Sequence, residues 1–187
     1  QEYVDYQDIR VLEIGMDLAY FDHLKRLAKD LDHPLLKSLV TLTIDCYNVI
    51  TVERALSLKK PNSFMKQLLS DAGSLSAREV IQCVEQGNLI SWFQHVNPLP
   101  YNVELTQYEE QMRAGRVTAE TVEYLEHVLK YRILEQASFE TDGPLPLARY
   151  LFGKELEVKN LRLVLTGLDN QLPIDKIKER MRPIYGQ

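Results

Sequence analysis

The chain has 187 residues, 45% hydrophobic and 26% charged, with a formal net charge of -5, a globular composition long enough for one large or two small domains. The acidic balance leaves no basic surplus to neutralise a phosphate backbone, so no nucleic-acid partner is expected. No window approaches 18 uncharged apolar residues, so the chain is expected to have no membrane span of its own. Glu2, Asp5, Asp8, Arg10 and Glu13 fall within residues 1–16, so no signal peptide is expected there.

Helical signals dominate, and no period-2 strand or hairpin turn stands out, so the predicted fold class is all-α. Asp17 can cap a helix carrying Leu18, Phe21, Leu24, Ala28 and Leu31 at three- and four-residue steps, which Asp32-His33-Pro34 ends. From Pro34 to about Leu58 a second helix is predicted, its length free of Gly and Pro outweighing its β-branched content. Pro61-Asn62-Ser63 breaks the chain, and a short helix follows to Gly73. Ser76 with Glu79 forms a capping box opening a helix that stops at Gly87, and Asn88 can cap the next, through Trp92 and Phe93.

The clearest break is Asn97-Pro98-Leu99-Pro100, which divides the chain into two expected helical domains, 1–96 and 97–187. Thr106 with Glu109 forms a second capping box, closed by Gly115, and Thr118 opens a long helix ending by about Ser138. After the Thr141-Asp142-Gly143-Pro144 turn comes PLPLARYLFGKELEVKNLRLVLTG, a helix that Gly167 is expected to terminate. A last helix starts at Pro173 and stops before Pro183. Lys176, Lys178, Arg180 and Arg182, interleaved with Asp175 and Glu179, read as a solvated face.

The Pro144–Gly167 stretch is apolar on more than one side: Leu151, Val158, Leu161 and Leu165 make one stripe, Leu156 and Leu163 another. Such a helix expects neighbours nearly all round, with Glu157, Asn160 and Arg162 partnered inside the fold or at an interface. Its acid-x-x-Asn step also occurs in the first half, as Asp45 and Asn48 followed by Arg54, which reads as a gapped, degenerate repeat. On a helix these pairs set a carboxylate and an amide on one face. Asp45 and Glu157 are the best acids for a two-carboxylate hydrolase, yet a structural or interface network is the stronger reading, and no catalytic residue is assigned. His23, His33, His95 and His127 lack metal-ligand spacing and no C-x₂-C occurs, so no metal site is expected. Without G-x-S-x-G, G-x-G-x-x-G or a phosphate loop, no cofactor is expected either. Cys46 and Cys83 read as buried free thiols of a reducing compartment.

Residues 144–167, followed by LPIDKIKERMRPIYG, resemble the C-terminal signature of the family formed by the C subunit of V-type/A-type ATPases (ATP synthases), which includes the eukaryotic d subunit. The likeness rests on Tyr150, Leu151, Lys154, Glu155, Glu157, Val158, Asn160, Leu161, Arg162, Gly167, Pro173, Glu179, Arg180, Arg182 and Tyr185. Asp17, Tyr20 and Phe21, with Leu36 to Lys59, resemble the family's preceding repeat, and residues 78–105 with Tyr101 its inter-repeat segment. The resemblance implies three helical repeats around a funnel, of which this chain, beginning at Gln1, would be a C-terminal two-repeat piece. It further implies a non-catalytic subunit, peripheral on the cytoplasmic face, whose partners are the membrane rotor ring and the central stalk of an H⁺- or Na⁺-coupled ATPase. In that role Asp45, Asn48, Arg54, Glu157, Asn160 and Arg162 are expected first to hold helices in register. A generic helical scaffold that binds other proteins is the alternative.

Overall fold

The computed structural model describes residues 9–97, 106–115 and 117–184. All the regular structure among them is helical: α1 (Ile9–Asp30), α2 (Pro34–Ser57), α3 (Asn62–Leu68), α4 (Ala77–Glu85), α5 (Leu89–Val96), α6 (Thr106–Arg113), α7 (Ala119–Glu135), α8 (Leu145–Asp169) and α9 (Ile174–Glu179). The chain is therefore all-α. Tyr101, Tyr185 and the prolines of the Asn97–Pro100 break lie outside the described residues.

Caps set most of the boundaries. Pro34 occupies the first turn of α2, where its missing N–H costs nothing, and the His33 ring accepts from the Leu35 N–H at 3.2 Å. The Ser76–Glu79 capping box forms in both directions at the start of α4. Thr118 accepts from the Thr121 N–H at 3.3 Å at the start of α7. Three expected boundaries move. Asp17 is no cap, because α1 already runs from Ile9 and nothing in Ile9–Met16 interrupts it. The short helix after Pro61 ends at Leu68, and Gly73 sits in the turn beyond it. Gly167 lies inside α8, which continues to Asp169.

Two compact units emerge, Gln1–Val96 with Thr106–Val122 and Asn97–Leu105 with Glu123–Gln187. Thr106–Val122, assigned by the proline break to the second half, groups with the first unit. In that unit α2 is central, with α1, α3 and α4 packed against it. Phe21, Ile44 and Ala72 form a core cluster bordered by Leu24, Val40 and Tyr47. By length and composition alone α2 could cross a membrane. Its interior, however, holds Asp45 and Asn48, both buried and hydrogen-bonded within the unit, as in a core helix. Cys46 is fully buried and Cys83 only half-buried, where burial raises its thiol pKa.

In the second unit α9 packs on α8, and Leu145, Leu156 and Ile177 are buried. A Cβ on Gly167 would meet Ile177 Cδ1 at 2.7 Å, so glycine here admits α9 against α8. Of the second stripe of α8, Leu156 is buried and Leu163 half-buried. The first stripe is open: Leu151, Val158, Leu161 and Leu165 are 56, 46, 62 and 66% exposed. The expectation of neighbours nearly all round α8 is thus corrected, because among the described residues this face of the helix stands open.

Candidate functional site

Six polar residues were singled out by the sequence, and two of them, Asn48 and Asn160, do the same work in the two units. The Asn48 amide donates to the Ser70 carbonyl at 2.8 Å and accepts from the Ser70 N–H at 2.9 Å. The Asn160 amide donates to the Arg182 carbonyl at 3.0 Å and accepts from the Arg182 N–H at 2.9 Å. Each side chain imitates a strand edge and fixes a peptide 22 residues downstream. Both asparagines are buried, so their four hydrogen bonds replace water that the fold has excluded.

The likeness extends beyond the clamps. Asn48 and Asn160 stand 112 residues apart, as do Ser70 and Arg182. At the same spacing α2 ends at Ser57 and α8 at Asp169. Lys59 and Gln171 then take the left-handed conformation, φ 54° and 56°. Lys60 donates to the Ala55 carbonyl at 2.9 Å and Leu172 to the Gly167 carbonyl at 2.8 Å, closing the same Schellman turn. Pro61 and Pro173 precede short helices whose buried members are Met65 and Ile177. From the start of α2 to Ser70 the match to the second half contains no gap, so the repeat that looked gapped in sequence is continuous in local structure.

The remaining four predicted residues divide. Asp45 is buried: its Oδ1 accepts from the Ser74 N–H at 2.8 Å and its Oδ2 from the Ser74 hydroxyl. Burial raises its pKa, opposed by those Ser74 bonds. Gly73 makes the arrangement possible, since a Cβ there would collide with Asp45 Oδ1. Glu157, at the equivalent position, is part-exposed and meets the Lys154 ammonium, at 2.7 Å, on its own helix. Arg54 and Arg162 both have exposed side chains, and they do not correspond: the 112-residue spacing sets Arg162 against buried Ile50.

Sequence reasoning missed the partners, Ser70 and Ser74, and the group around His127. Arg182, read as part of a solvated basic face, turns inward instead, its Nε donating to His127 Nδ1 at 3.1 Å. The Lys159 ammonium lies 2.6 Å from His127 Nε2 and 2.6 Å from Glu155. A neutral imidazole has one acceptor nitrogen, so the ring can accept from the Arg182 guanidinium at Nδ1 or from the Lys159 ammonium at Nε2, but not from both at once. Burial and the neighbouring Lys159 and Arg182 charges lower the His127 pKa to about 3, so the ring is neutral at physiological pH. No sequence signal marks these partners: Ser70 and Arg182 lie 22 residues past their asparagines, Ser74 29 past Asp45, and His127 55 before Arg182.

Chemically, Asp45 has both oxygens occupied, and each asparagine saturates a peptide. The polar side-chain atoms of all three are engaged in hydrogen bonds within the described fold. Among the described residues no three His, Cys, Asp or Glu side chains gather to hold a metal ion.

The ATP synthase (C/AC39) subunit family model matches residues 1–180. The C subunit of the V-type sodium ATPase of Enterococcus hirae is 30% identical over 176 residues, 93% of this chain and 52% of that protein. The C subunit of the A-type ATP synthase of Pyrococcus horikoshii is 22% identical over 175 residues, 92% of this chain and 47% of that protein. The chain thus spans about half the length of the curated relatives it matches. No solved structure matches it significantly. With its model matched across nearly the whole chain, this protein belongs to the ATP synthase (C/AC39) subunit family.

Proposed function

We propose that this chain supplies two helical repeats of a coupling subunit in a V/A-type rotary ATPase, joining the central stalk to the membrane rotor ring. The subunit is non-catalytic and peripheral on the cytoplasmic face of the membrane. It passes torque between ATP turnover and H⁺ or Na⁺ movement, while the ions bind the ring. The observation that carries the reading is the family match over residues 1–180, with relatives named as the C subunits of a sodium ATPase and of an ATP synthase.

The local structure supports it physically. A part that transmits torque must keep its helices in register under load, and the Asn48 and Asn160 clamps join each long helix to the chain beyond the next short one. Buried, fully satisfied polar bonds resist sliding because a slip leaves orphaned groups costing about 1–3 kcal/mol each. Asp45 does the same for the turn before α4. Under this reading Asn48, Asn160 and Asp45 are structural fixings, and the more exposed Glu157, Arg54 and Arg162 lie where an interface can reach them.

The test is co-purification. The full-length subunit, tagged, should retain both rotor-ring and central-stalk subunits from solubilised membranes at moderate salt. Recovery of neither removes the basis of the assignment, and recovery of the stalk alone refutes the coupling role.

A further inference from the structure

Between α7 and α8 the second unit departs from the first. At the 112-residue spacing Gln136–Asp142 correspond to Leu24–Asp30, the last turns of α1. Just before that point the two helices agree, since Phe21 and its counterpart Ile133 are both buried. Beyond it they differ. Ala28 is buried and Leu24 packs on the core cluster of the first unit, whereas their counterparts Glu140 and Gln136 are exposed. Here α7 stops at Glu135 and the chain forms tight turns instead.

Those turns are fixed by their own hydrogen bonds. The N–H groups of Gln136, Ala137, Ser138 and Glu140 each donate to the carbonyl three residues back, at 3.1–3.2 Å. Ala137 is buried and anchors the segment, and Gly143, at φ 79°, turns the chain into α8. The side chain presented outward is Phe139, 95% exposed, more than any other large apolar side chain among the described residues. A singly exposed leucine on a helix is ordinary. An aromatic ring held outward on a bonded turn, where the sister unit has plain helix, contributes nothing to the packing of its own unit. From Gln136 to Ala148 the chain carries two exposed acids, Glu140 and Asp142, and no Lys or Arg.

We propose that Phe139 is a docking anchor, received by an apolar pocket with a lysine- or arginine-rich rim on a neighbouring protein subunit of the rotary complex. The proposal rests on the coupling reading above and adds the residue and the chemistry of the surface it meets. Aromatic rings are enriched in protein interfaces, and a turn ordered beforehand avoids the entropy cost of fixing a loop on binding. The two acids complement a basic rim. Anionic lipid headgroups would repel the same acids, so the partner is a protein and not the membrane surface.

Photo-cross-linking tests this. The full-length subunit carrying p-benzoylphenylalanine in place of Phe139 is irradiated in the assembled complex, and a cross-link to an apolar segment flanked by basic residues on another subunit is expected. Phe139→Ser should leave the melting temperature of the isolated subunit unchanged, because the ring gives up no packing. It should weaken recovery of the cross-linked partner about tenfold or more. Asp142→Lys should weaken recovery less, and only at low salt. Cross-linking to lipid, or binding to phosphatidylglycerol vesicles that Phe139→Ser abolishes, overturns the proposal and assigns the turn to the membrane. No cross-link at all, or full recovery of every partner by Phe139→Ser, also overturns it. A wild-type subunit that retains ring and stalk while Phe139→Ser retains them equally refutes the anchor alone and leaves the coupling role standing.

Discussion

Replacing Asn48 with Asp changes one atom and tests the clamp directly. The new carboxyl oxygen can still accept from the Ser70 N–H, but the donor to the Ser70 carbonyl is gone, and two oxygens face each other where 2.8 Å separated a bonded pair. Asn48 is fully buried, so the orphaned carbonyl costs about 1–3 kcal/mol and burying the charge roughly as much again. A loss of about 2–6 kcal/mol is expected for the first unit at pH 7. Asn160→Asp should cost less, about 1–3 kcal/mol, because its clamp is only part-buried and the bonded peptide belongs to Arg182, itself a cation. Protonating the new carboxyl restores a donor. Its folded-state pKa is therefore raised, and the Asn48→Asp deficit should shrink as pH falls from about 7 towards 5. Urea unfolding reports the totals, and native-state hydrogen exchange at the Ser70 and Arg182 amides separates the units, which need not unfold together. An Asn48→Asp variant with unchanged stability at pH 7, or with a deficit that does not respond to pH, refutes the reasoning.

His127 makes a second pH prediction. Its folded pKa of about 3 lies below 6.5, so the unfolded chain binds the extra proton, and stability is full above about 6.5 and lost as pH falls towards 3. About two pH units below 6.5 the loss is on the order of 2–3 kcal/mol. Urea midpoints from about pH 7.5 to 4.5 should fall more steeply for the native chain than for His127→Gln, and equal slopes would count against it. Gly167→Ala should destabilise the second unit by about 1–3 kcal/mol through collision with Ile177, and adding Ile177→Ala should make the change at 167 nearly silent. Thermal unfolding of the four-member cycle checks this. Lys59→Gly and Gln171→Gly should each stabilise by about 0.5–1 kcal/mol, since both native residues hold a left-handed φ. A drop in melting temperature for either would show that its side chain contributes more than its backbone strain costs.

Local physics written in short stretches of sequence determined a good deal of this protein. Helix type and most starts were legible because capping is a contact over two or three residues, as at Pro34, Ser76 and Thr118. Asn48 and Asn160 stood out as amides on otherwise apolar helices, which need partners wherever they are buried. The partners were not legible. Ser70 and Arg182 lie 22 residues away across a turn and a short helix, and only folding brings them back. For the same reason Arg182 looked like a solvated cation and proved to bond His127. Gly167 looked like a helix stop, since a sequence shows the flexibility of glycine but not the Ile177 that needs the space. The apolar stripe of α8 shows the division most plainly. Its hydrophobicity was a matter of sequence, whereas its exposure depends on which helices pack beside it, and that is settled by tertiary structure alone.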